Sequence, residues 1–172
     1  MSDLASARLR LRPIASSDRD RLHAIFRDPY VRRYLWDSVL VTHTEVDEVI
    51  AASAASFRER GLGVWSATER AAGDASPIIG FGGLRPHASG ALGLIYGFLP
   101  EHWGRGYATE LSRAVMQHAF ALGQARLYAD TDLENKASER VMRKLGMRFA
   151  GSEVRDGLPT VYYAIDRADF RA

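Results

Sequence analysis

The chain has 172 residues, 47% of them apolar, which is enough to bury the core of one domain over residues 1–172. Its 23 Lys and Arg against 21 Asp and Glu leave a formal charge of +2, so composition does not favour nucleic acid as a partner. The absence of cysteine excludes disulfides, thiolate nucleophiles and cysteine-ligated zinc. No apolar run is long enough to span a bilayer and the amino terminus lacks a signal-peptide pattern, so we expect a soluble, cytoplasmic protein with no membrane partner.

The first half of the chain predicts strands and two helices. Four segments read as strands because they alternate in polarity or form apolar runs between turns: residues 8–12, 63–69, 77–85 and 91–99. Of the two helices between the first two strands, one is capped by Ser16 or Ser17 and closed by Pro29. The other starts at Thr44 and ends at Gly61. The last three strands, separated by turn-rich segments, indicate a meander.

The second half alternates helices with strands. Helices are predicted over 107–122 and 136–145, and strands over 126–131, 147–154 and 160–165. Asp156 and Gly157 form a hairpin turn between the last two strands. A run of strands followed by strand–helix pairs and a closing hairpin is typical of an α+β domain with a mixed sheet.

The segment "EHWGRGYATE", residues 101–110, places two glycines where a strand passes into a helix. The first turn of a helix has backbone amides without intrahelical partners, and glycines let this backbone approach a bulky anion. A diphosphate is therefore the expected ligand, although a turn that binds nothing has the same local pattern. The spacing fits neither the Rossmann fingerprint nor the Walker loop. Glu110, in the first turn, is interpreted as a structural residue that favours the helix dipole.

Two segments together carry a family resemblance. "PEHWGRGYATE" and, further on, "NKASERVMRKLGM" at 135–147 resemble the GNAT superfamily of N-acetyltransferases, and specifically its RimJ/RimL branch, which acetylates protein amino termini and small amines. The opening "RLRLRPIASSDRDRLHAIFRDPYVRRYL" is also similar to that branch. The superfamily pattern Q/R-x-x-G-x-G/A falls on Trp103, Gly106 and Ala108, with Trp in place of Gln or Arg.

The resemblance implies the GNAT fold, a mixed, mostly antiparallel sheet of about seven strands flanked by about four helices. In this fold the sheet is splayed between its fourth and fifth strands. Here the fourth strand ends at about Leu99, and the fifth lies near residues 126–130. The wedge between them is expected to take the pantetheine arm of acetyl-CoA, the implied co-substrate. No metal is implied, and the five histidines show no metal-binding spacing.

The resemblance also implies which residues meet acetyl-CoA. Pyrophosphate is expected on the backbone amides of Trp103, Gly104, Arg105, Gly106, Tyr107, Ala108 and Thr109. A backbone amide at about Phe98 or Leu99 is expected to stabilise the oxyanion. Asn135 is expected either against the pantetheine arm or as a helix N-cap, or both. For the 3'-phosphate the candidates are Arg105, which we prefer, Lys136, Arg140 and Arg143.

The implied reaction is acyl transfer to an amine, but the residues that usually act as acid and base in relatives are absent here. In relatives a tyrosine usually protonates the departing thiolate, but Met142 holds that position here, so Ser138 is the expected substitute. Two alternatives stay open: Ser138 makes only a structural hydrogen bond to the backbone, or the thiolate takes its proton from water. Many relatives carry a glutamate three residues before a tyrosine, but Gly93 holds that position before Tyr96. Possible proton relays are Tyr96, Glu101, His102 and Asp132, each of which can equally be structural.

The missing glutamate points to an acceptor that needs little deprotonation. An α-amine is about 20–35% neutral at pH 7.4, whereas a lysine amine is only about 0.1% neutral. We therefore expect a peptide or protein amino terminus as acceptor, with water relaying the proton. Two alternatives stay open: a non-catalytic acyl-CoA-binding module of the same fold, and a small-molecule acetyltransferase acting on polyamines, amino acids or antibiotics. Aromatic residues 30, 34 and 36 form either an acceptor wall or core, and the protein is a monomer or homodimer.

Overall fold

The structure is a computed structural model that describes residues 3–73, 76–87 and 91–171. Within these ranges the strands are β1 (Leu4–Ala5), β2 (Leu9–Pro13), β3 (Val64–Glu69), β4 (Gly80–Pro86), β5 (Leu92–Phe98), β6 (Arg126–Asp132), β7 (Arg148–Arg155) and β8 (Leu158–Asp166). The helices are α1 (Arg19–Arg27), α2 (Pro29–Leu35), α3 (His43–Arg60), α4 (Tyr107–Ala121) and α5 (Lys136–Lys144).

The described strands form one sheet in the order β1-β2-β3-β4-β5-β6-β8-β7. Neighbouring strands pair antiparallel except β5 and β6, which are parallel. The predicted α+β class with a mixed, mostly antiparallel sheet is thus confirmed, as is the meander of β3, β4 and β5. The sheet has one strand more than the expected seven because the segment Leu4–Ala5 folds back on β2. Asp156 and Gly157 both have positive φ, 52° and 82°, at the predicted hairpin.

The region around Pro29 differs from its prediction. Pro29 does not only close the first helix but begins α2, where a missing backbone N–H costs nothing. Asp28 caps α2, its Oδ1 accepting from the amides of Tyr30 at 2.9 Å and Val31 at 3.2 Å. The expected caps Ser16 and Ser17 instead lie in a short 3-10 turn before α1 and make no capping bond. A fifth helix therefore follows from a cap that the pattern of apolar residues does not reveal.

The sheet opens between β5 and β6. The two strands pair only at Leu92 with Leu127 and at Gly93 with Tyr128. Beyond that point β5 stays paired with β4 to Phe98, while β6 stays paired with β8. The expected splay is confirmed, between the strands that are numbered five and six once Leu4–Ala5 is included.

Two apolar clusters cover the two faces of the sheet. One joins the sheet to α4 and α5 through residues such as Leu94, Leu111 and Met142. The other joins it to α1, α2 and α3 through residues such as Phe26 and Phe81. The wedge between β5 and β6 consequently lies between a helical layer on each face.

Glu110 fixes the start of α4 to the amino-terminal strands. Its carboxylate accepts hydrogen bonds of 2.7 Å from Ser6 Oγ, from the Arg8 amide and from Arg8 Nε. Burial opposes ionisation of this carboxyl, but the bonds from Ser6 and Arg8 outweigh it and lower the pKa of Glu110 below its usual value. The structural interpretation of Glu110 agrees with these contacts.

Replacing Glu110 by Gln is expected to destabilise the fold by about 2 kcal/mol at pH 7, since bonds to a charged acceptor are lost. Because the folded-state pKa of Glu110 is lowered, this stabilisation is complete above its unfolded pKa and is lost as the pH falls through the folded pKa. Urea denaturation of both proteins from pH 7 to pH 3 measures the difference, with exposed Glu101→Gln as control. An equal difference at every pH would contradict the assignment.

Candidate active site

The start of α4 is shaped by two left-handed glycines. Gly104 has φ +73° and Gly106, the N-cap of α4, has φ +80°. Side chains rarely adopt these angles, so glycine is required at both positions. A Cβ at Gly104 would have no atom within 4 Å, which leaves the backbone open to a ligand.

The amides of residues 104–109 have no acceptor among the described residues. Just before them, the amides of His102 and Trp103 donate to Leu99 and Pro100 in a 3-10 turn. Just after them, the Glu110 amide donates to the Gly106 carbonyl at 3.0 Å. The free amides coincide with the positive end of the α4 dipole, and residues 103–106 are exposed. This arrangement fits a diphosphate without needing a cationic side chain.

The end of β5 presents one backbone amide to the wedge. The Leu99 amide donates to the Ile79 carbonyl at 3.1 Å, so it is not available for an oxyanion, and that part of the expectation is corrected. The same bond makes Gly80 and Phe98 a non-hydrogen-bonded pair, in which the peptide groups of Phe98 point away from β4. The Phe98 amide therefore faces β6 across the wedge.

Trp103 lies along this edge of β5. Its indole Nε1 donates to the Phe98 carbonyl at 2.6 Å, and half of the side chain, 51%, is exposed. Its ring meets that of Tyr30 edge to face at 6.1 Å. Trp103 thus connects the glycine turn, the end of β5 and the start of α2.

Tyr96 and Ser138 meet across the wedge. The Tyr96 hydroxyl and Ser138 Oγ are 2.8 Å apart, and the hydroxyl also lies 3.2 Å from the Ser138 carbonyl. Burial raises the pKa of Tyr96 to about 12, so the phenol stays protonated near neutral pH. The structure brings together the two residues that the sequence suggested as acid and relay. A phenol with this pKa is a hydrogen-bond donor and not a base.

Asn135 caps α5 at the carboxyl end of β6. Its Oδ1 accepts from the Ser138 amide at 3.2 Å, and its Nδ2 donates to Thr131 Oγ1 at 3.0 Å. The N-cap alternative is therefore confirmed, and a contact with pantetheine stays a prediction. The cap also places the first turn of α5, with Ser138, beside Tyr96.

The candidate cations for the 3'-phosphate differ in their partners. Arg105 Nη1 lies 3.6 Å from Glu69 Oε1, while Lys136 and Arg143 both pair with Glu139, at 3.0 and 2.6 Å. Arg140 is exposed and has no ion pair within the described part of the chain. This favours Arg140 over Arg105, the residue that we prefer from sequence.

The aromatic residues after the first helix divide between wall and core. Tyr30 is 64% exposed beside Trp103. Trp36 packs against Phe26 at 5.6 Å in the core of the α1–α3 layer. Tyr34 is half-buried under the Arg33 guanidinium. Both interpretations of this segment therefore hold, for different residues.

The remaining candidate relays are His102, Glu101 and Asp132. His102 Nδ1 lies 3.6 Å from Glu69, and Glu101 is exposed. Burial raises the pKa of Asp132, and Asp37 adds to this effect. Among the described residues, the Tyr96 hydroxyl bonds only to Ser138 and to none of these side chains.

Sequence reasoning missed one buried polar pair beside Gly93. His87 and Asp130 have side chains that are each 7% exposed, with Nε2 and Oδ1 3.8 Å apart. The His87 ring stacks on Tyr128, and Arg155 binds the other oxygen of Asp130. No motif joins residues so distant along the chain. The only sequence signal is the missing side chain at Gly93, which leaves space that another side chain must fill.

A splayed sheet with free amides at a following helix defines a class of domain, α+β acyltransferases that bind an acyl-CoA. Within the described ranges no helix is long and apolar enough to cross a membrane, and no group of side chains suits a metal ion. Residues 8–148 match the sequence profile described as Acetyltransferase (GNAT) domain. The uncharacterized N-acetyltransferase YoaA of Bacillus subtilis (strain 168) is 31% identical over 150 residues, covering 86% of this chain and 84% of YoaA. The chain therefore belongs to the GNAT family and is an acetyl-CoA-dependent acetyltransferase.

Solved structures share the fold at low sequence identity. RimL, a ribosomal L7/L12 alpha-N-protein acetyltransferase in complex with coenzyme A, has a TM-score of 0.80 at 17% identity, covering 96% of this chain and 98% of its own. A spermidine N-acetyltransferase from Vibrio cholerae, in complex with CoA and spermine, has a TM-score of 0.76 at 16% identity, covering 94% and 96%. One of these relatives acts on a protein and the other on a polyamine.

Replacing Gly104 by Ala is expected to raise the dissociation constant of coenzyme A about tenfold, because the turn must shift and misalign the free amides. Gly157→Ala is the control. Gly157 has φ +82° and, like Gly104, no atom within 4 Å of an added Cβ, but it lies in the β7–β8 hairpin, outside the turn. Each substitution strains the fold by about 1–2 kcal/mol. Calorimetric titration with coenzyme A distinguishes them, and equal affinities of the two variants would contradict a diphosphate site at Gly104.

Proposed function

We propose that this acetyltransferase acts on the α-amine of a peptide or protein amino terminus, as a member of the RimJ/RimL branch. The 172 residues work as one catalytic domain. A cytoplasmic location accords with the lack of cysteine. The observation that carries the choice of acceptor is the exposed Tyr30–Trp103 pair, which lies next to the end of β5 at the mouth of the wedge.

The chain's own groups suit the binding of acetyl-CoA. The amides of residues 104–109 bind the diphosphate, and the exposed Arg140 meets the 3'-phosphate. The gap between β5 and β6 leaves the Phe98 peptide group without a strand partner on that side. The pantetheine arm lies along this gap, near Asn135.

The same wedge supplies the groups needed for acyl transfer. Acetyl-CoA provides a thioester whose carbonyl is open to attack by a neutral amine and whose sulfur is a good leaving group. The Phe98 amide donates to the carbonyl oxygen. Ser138 Oγ, held at 2.8 Å by Tyr96, donates to the departing sulfur. Since the pKa of Tyr96 is about 12, its own part is to orient Ser138 and to donate a hydrogen bond.

Tyr30 and Trp103 favour a peptide over a compact amine. Aromatic faces give contact area to side chains that follow an amino terminus, and both rings are more than half exposed. About 20–35% of an α-amine is also present as the free base at pH 7.4, against about 0.1% of a lysine amine. Because the wedge is open beside Tyr30 and Trp103, it has room for the residues of a peptide substrate that follow its amino terminus.

A second candidate acceptor is a polyamine. Asp132 and Glu134 lie at the carboxyl end of β6, with Asp37 close enough to raise the pKa of Asp132. Arg33 Nη2 approaches Glu134 at 3.4 Å and offsets part of this charge. Carboxylates around the wedge are suited to a second ammonium group of such a substrate.

An acceptor screen at saturating acetyl-CoA tests this function. Coenzyme A release is expected to be at least about tenfold faster with a short peptide bearing a free amino terminus than with spermidine or Nα-acetyl-lysine amide. The same peptide with an acetylated amino terminus is the control and should give no release. Faster turnover of spermidine or of the lysine side chain would overturn the assignment.

A further inference from the structure

The space that Gly93 leaves empty is filled by an imidazole. A Cβ built on Gly93 would lie 3.3 Å from both Cβ and Cδ2 of His87. His87 follows β4, and its backbone pairs with Ala91 before β5 begins. The His87 ring therefore occupies the position next to β5 that a longer side chain at residue 93 would take.

The imidazole is held from two further strands. It stacks on Tyr128 of β6, with ring centroids 5.0 Å apart and planes 9° apart. Tyr162 of β8 contacts it edge to face at 5.8 Å. A ring packed in this way between three strands has a fixed plane, so the direction of its nitrogens is fixed as well.

Asp130 completes the arrangement. Arg155 Nη2 binds Asp130 Oδ2 at 2.5 Å, which fixes the orientation of the carboxyl group. The other oxygen, Oδ1, lies 3.8 Å from His87 Nε2, beyond hydrogen-bond distance. An N–H group about 2.8 Å from both atoms fits this separation, so one ammonium or one water can bond both.

The pair lies at the closed end of the wedge. Pairing of β5 with β6 stops at Gly93 and Tyr128, and Asp130 is the next residue of β6 on the same face. This face is the one covered by the α1–α3 layer, since Ile95 belongs to that cluster. Tyr96 packs on the α4–α5 face instead. A base on one face and the Ser138–Tyr96 pair on the other suit attack and departure from opposite sides of the carbonyl.

We propose that His87 is the general base of the reaction and that Asp130 is its positioning residue. Nε2 of the imidazole takes a proton from the acceptor ammonium through a chain of waters along the wedge, because Gly93 and Phe98 are roughly 16 Å apart along β5. The amine lone pair then forms the C–N bond, and the C–S bond breaks with its electron pair going to sulfur. The sulfur takes the proton of Ser138 Oγ, and the second proton of the attacking nitrogen returns to that oxygen through water. The positive charge gained by His87 is balanced by Asp130. This inference rests on the proposed function and replaces proton transfer to bulk water by transfer to a named atom.

The pH dependence of turnover separates a base from a structural residue. Among the described residues, the groups that face His87 include Tyr128 and Asp130 of β6, Tyr162 of β8, and Arg155 of β7 behind Asp130. With the same free peptide as acceptor, His87→Gln is expected to lower kcat about 100-fold at pH 7. The deficit should shrink as the pH rises through the α-amine pKa of about 8, because the acceptor then arrives as free base. Loss of packing alone would lower kcat by the same factor at every pH.

Three further measurements complete the test. His43→Gln, an exposed histidine at the start of α3, should keep wild-type turnover and pH dependence. Adding the peptide to the coenzyme A-bound wild type should shift the His87 Cε1–H NMR signal and leave that of His43 in place. Gly93→Glu together with His87→Ala should restore part of the lost turnover, since truncation of His87 removes the ring atoms that meet the side chain of residue 93.

The outcomes are distinct from those of the acceptor screen. If the wild type transfers no acetyl group to any amine, the proposed function fails and this inference with it. If the wild type turns over and His87→Gln matches it, or shows a deficit that is constant with pH, His87 is not the base. Melting temperatures and coenzyme A affinity of His87→Gln close to wild type are expected and exclude a folding defect.

Discussion

The site depends on one constraint, a run of backbone N–H groups at the start of α4 that donate to no carbonyl or side chain in the part of the chain that the structure describes. Among the described residues, the amides of 104–109 lack an acceptor, and only glycine at 104 and 106 allows the turn that exposes them. Since residues 103–106 are exposed, water can satisfy these groups when no ligand is bound, and the fold tolerates them. A diphosphate bound here would replace that water and would interact favourably with the α4 dipole.

The position of this turn is set by long-range contacts. Glu110 ties the first turn of α4 to Ser6 and Arg8, and Tyr107 donates to Glu69 at the end of β3. Trp103 ties the turn to the end of β5. The amides are therefore held at a fixed distance from the Phe98 peptide group, which lets one extended molecule reach both.

The sequence predicted the parts of the fold that depend on local pattern. Alternation in β2, the Asp156–Gly157 turn and the glycines before α4 each have a short-range cause, and each lies where expected. The first helix ends before Pro29 as predicted, but the helix that begins at Pro29 was missed, because a proline can start a second helix when an aspartate caps it. Family motifs located the amides, Tyr96 and Ser138. Local sequence patterns do not reveal which distant strands pair. For this reason the Leu99 amide was expected to be free for an oxyanion, and the position of Asp130 beside His87 was missed.

Gly93 shows how a missing side chain can be informative. Its lack of a Cβ made the site seem to have no base, yet the structure fills that space with His87 and places Asp130 beside it. The wedge then has polar groups on both faces: the buried pair of His87 and Asp130 on one, and Ser138 with Tyr96 on the other. The two groups to which we assign proton transfer, His87 and Ser138, thus lie on opposite faces of the wedge.

The most direct test of the central claim is amide hydrogen exchange at residues 104–109 with coenzyme A and with pantetheine, which lacks the diphosphate. Strong slowing of exchange at these amides by coenzyme A, and little slowing by pantetheine, is the predicted result. Equal exchange with and without coenzyme A, under conditions where binding is saturated, would show that the ligand is held elsewhere.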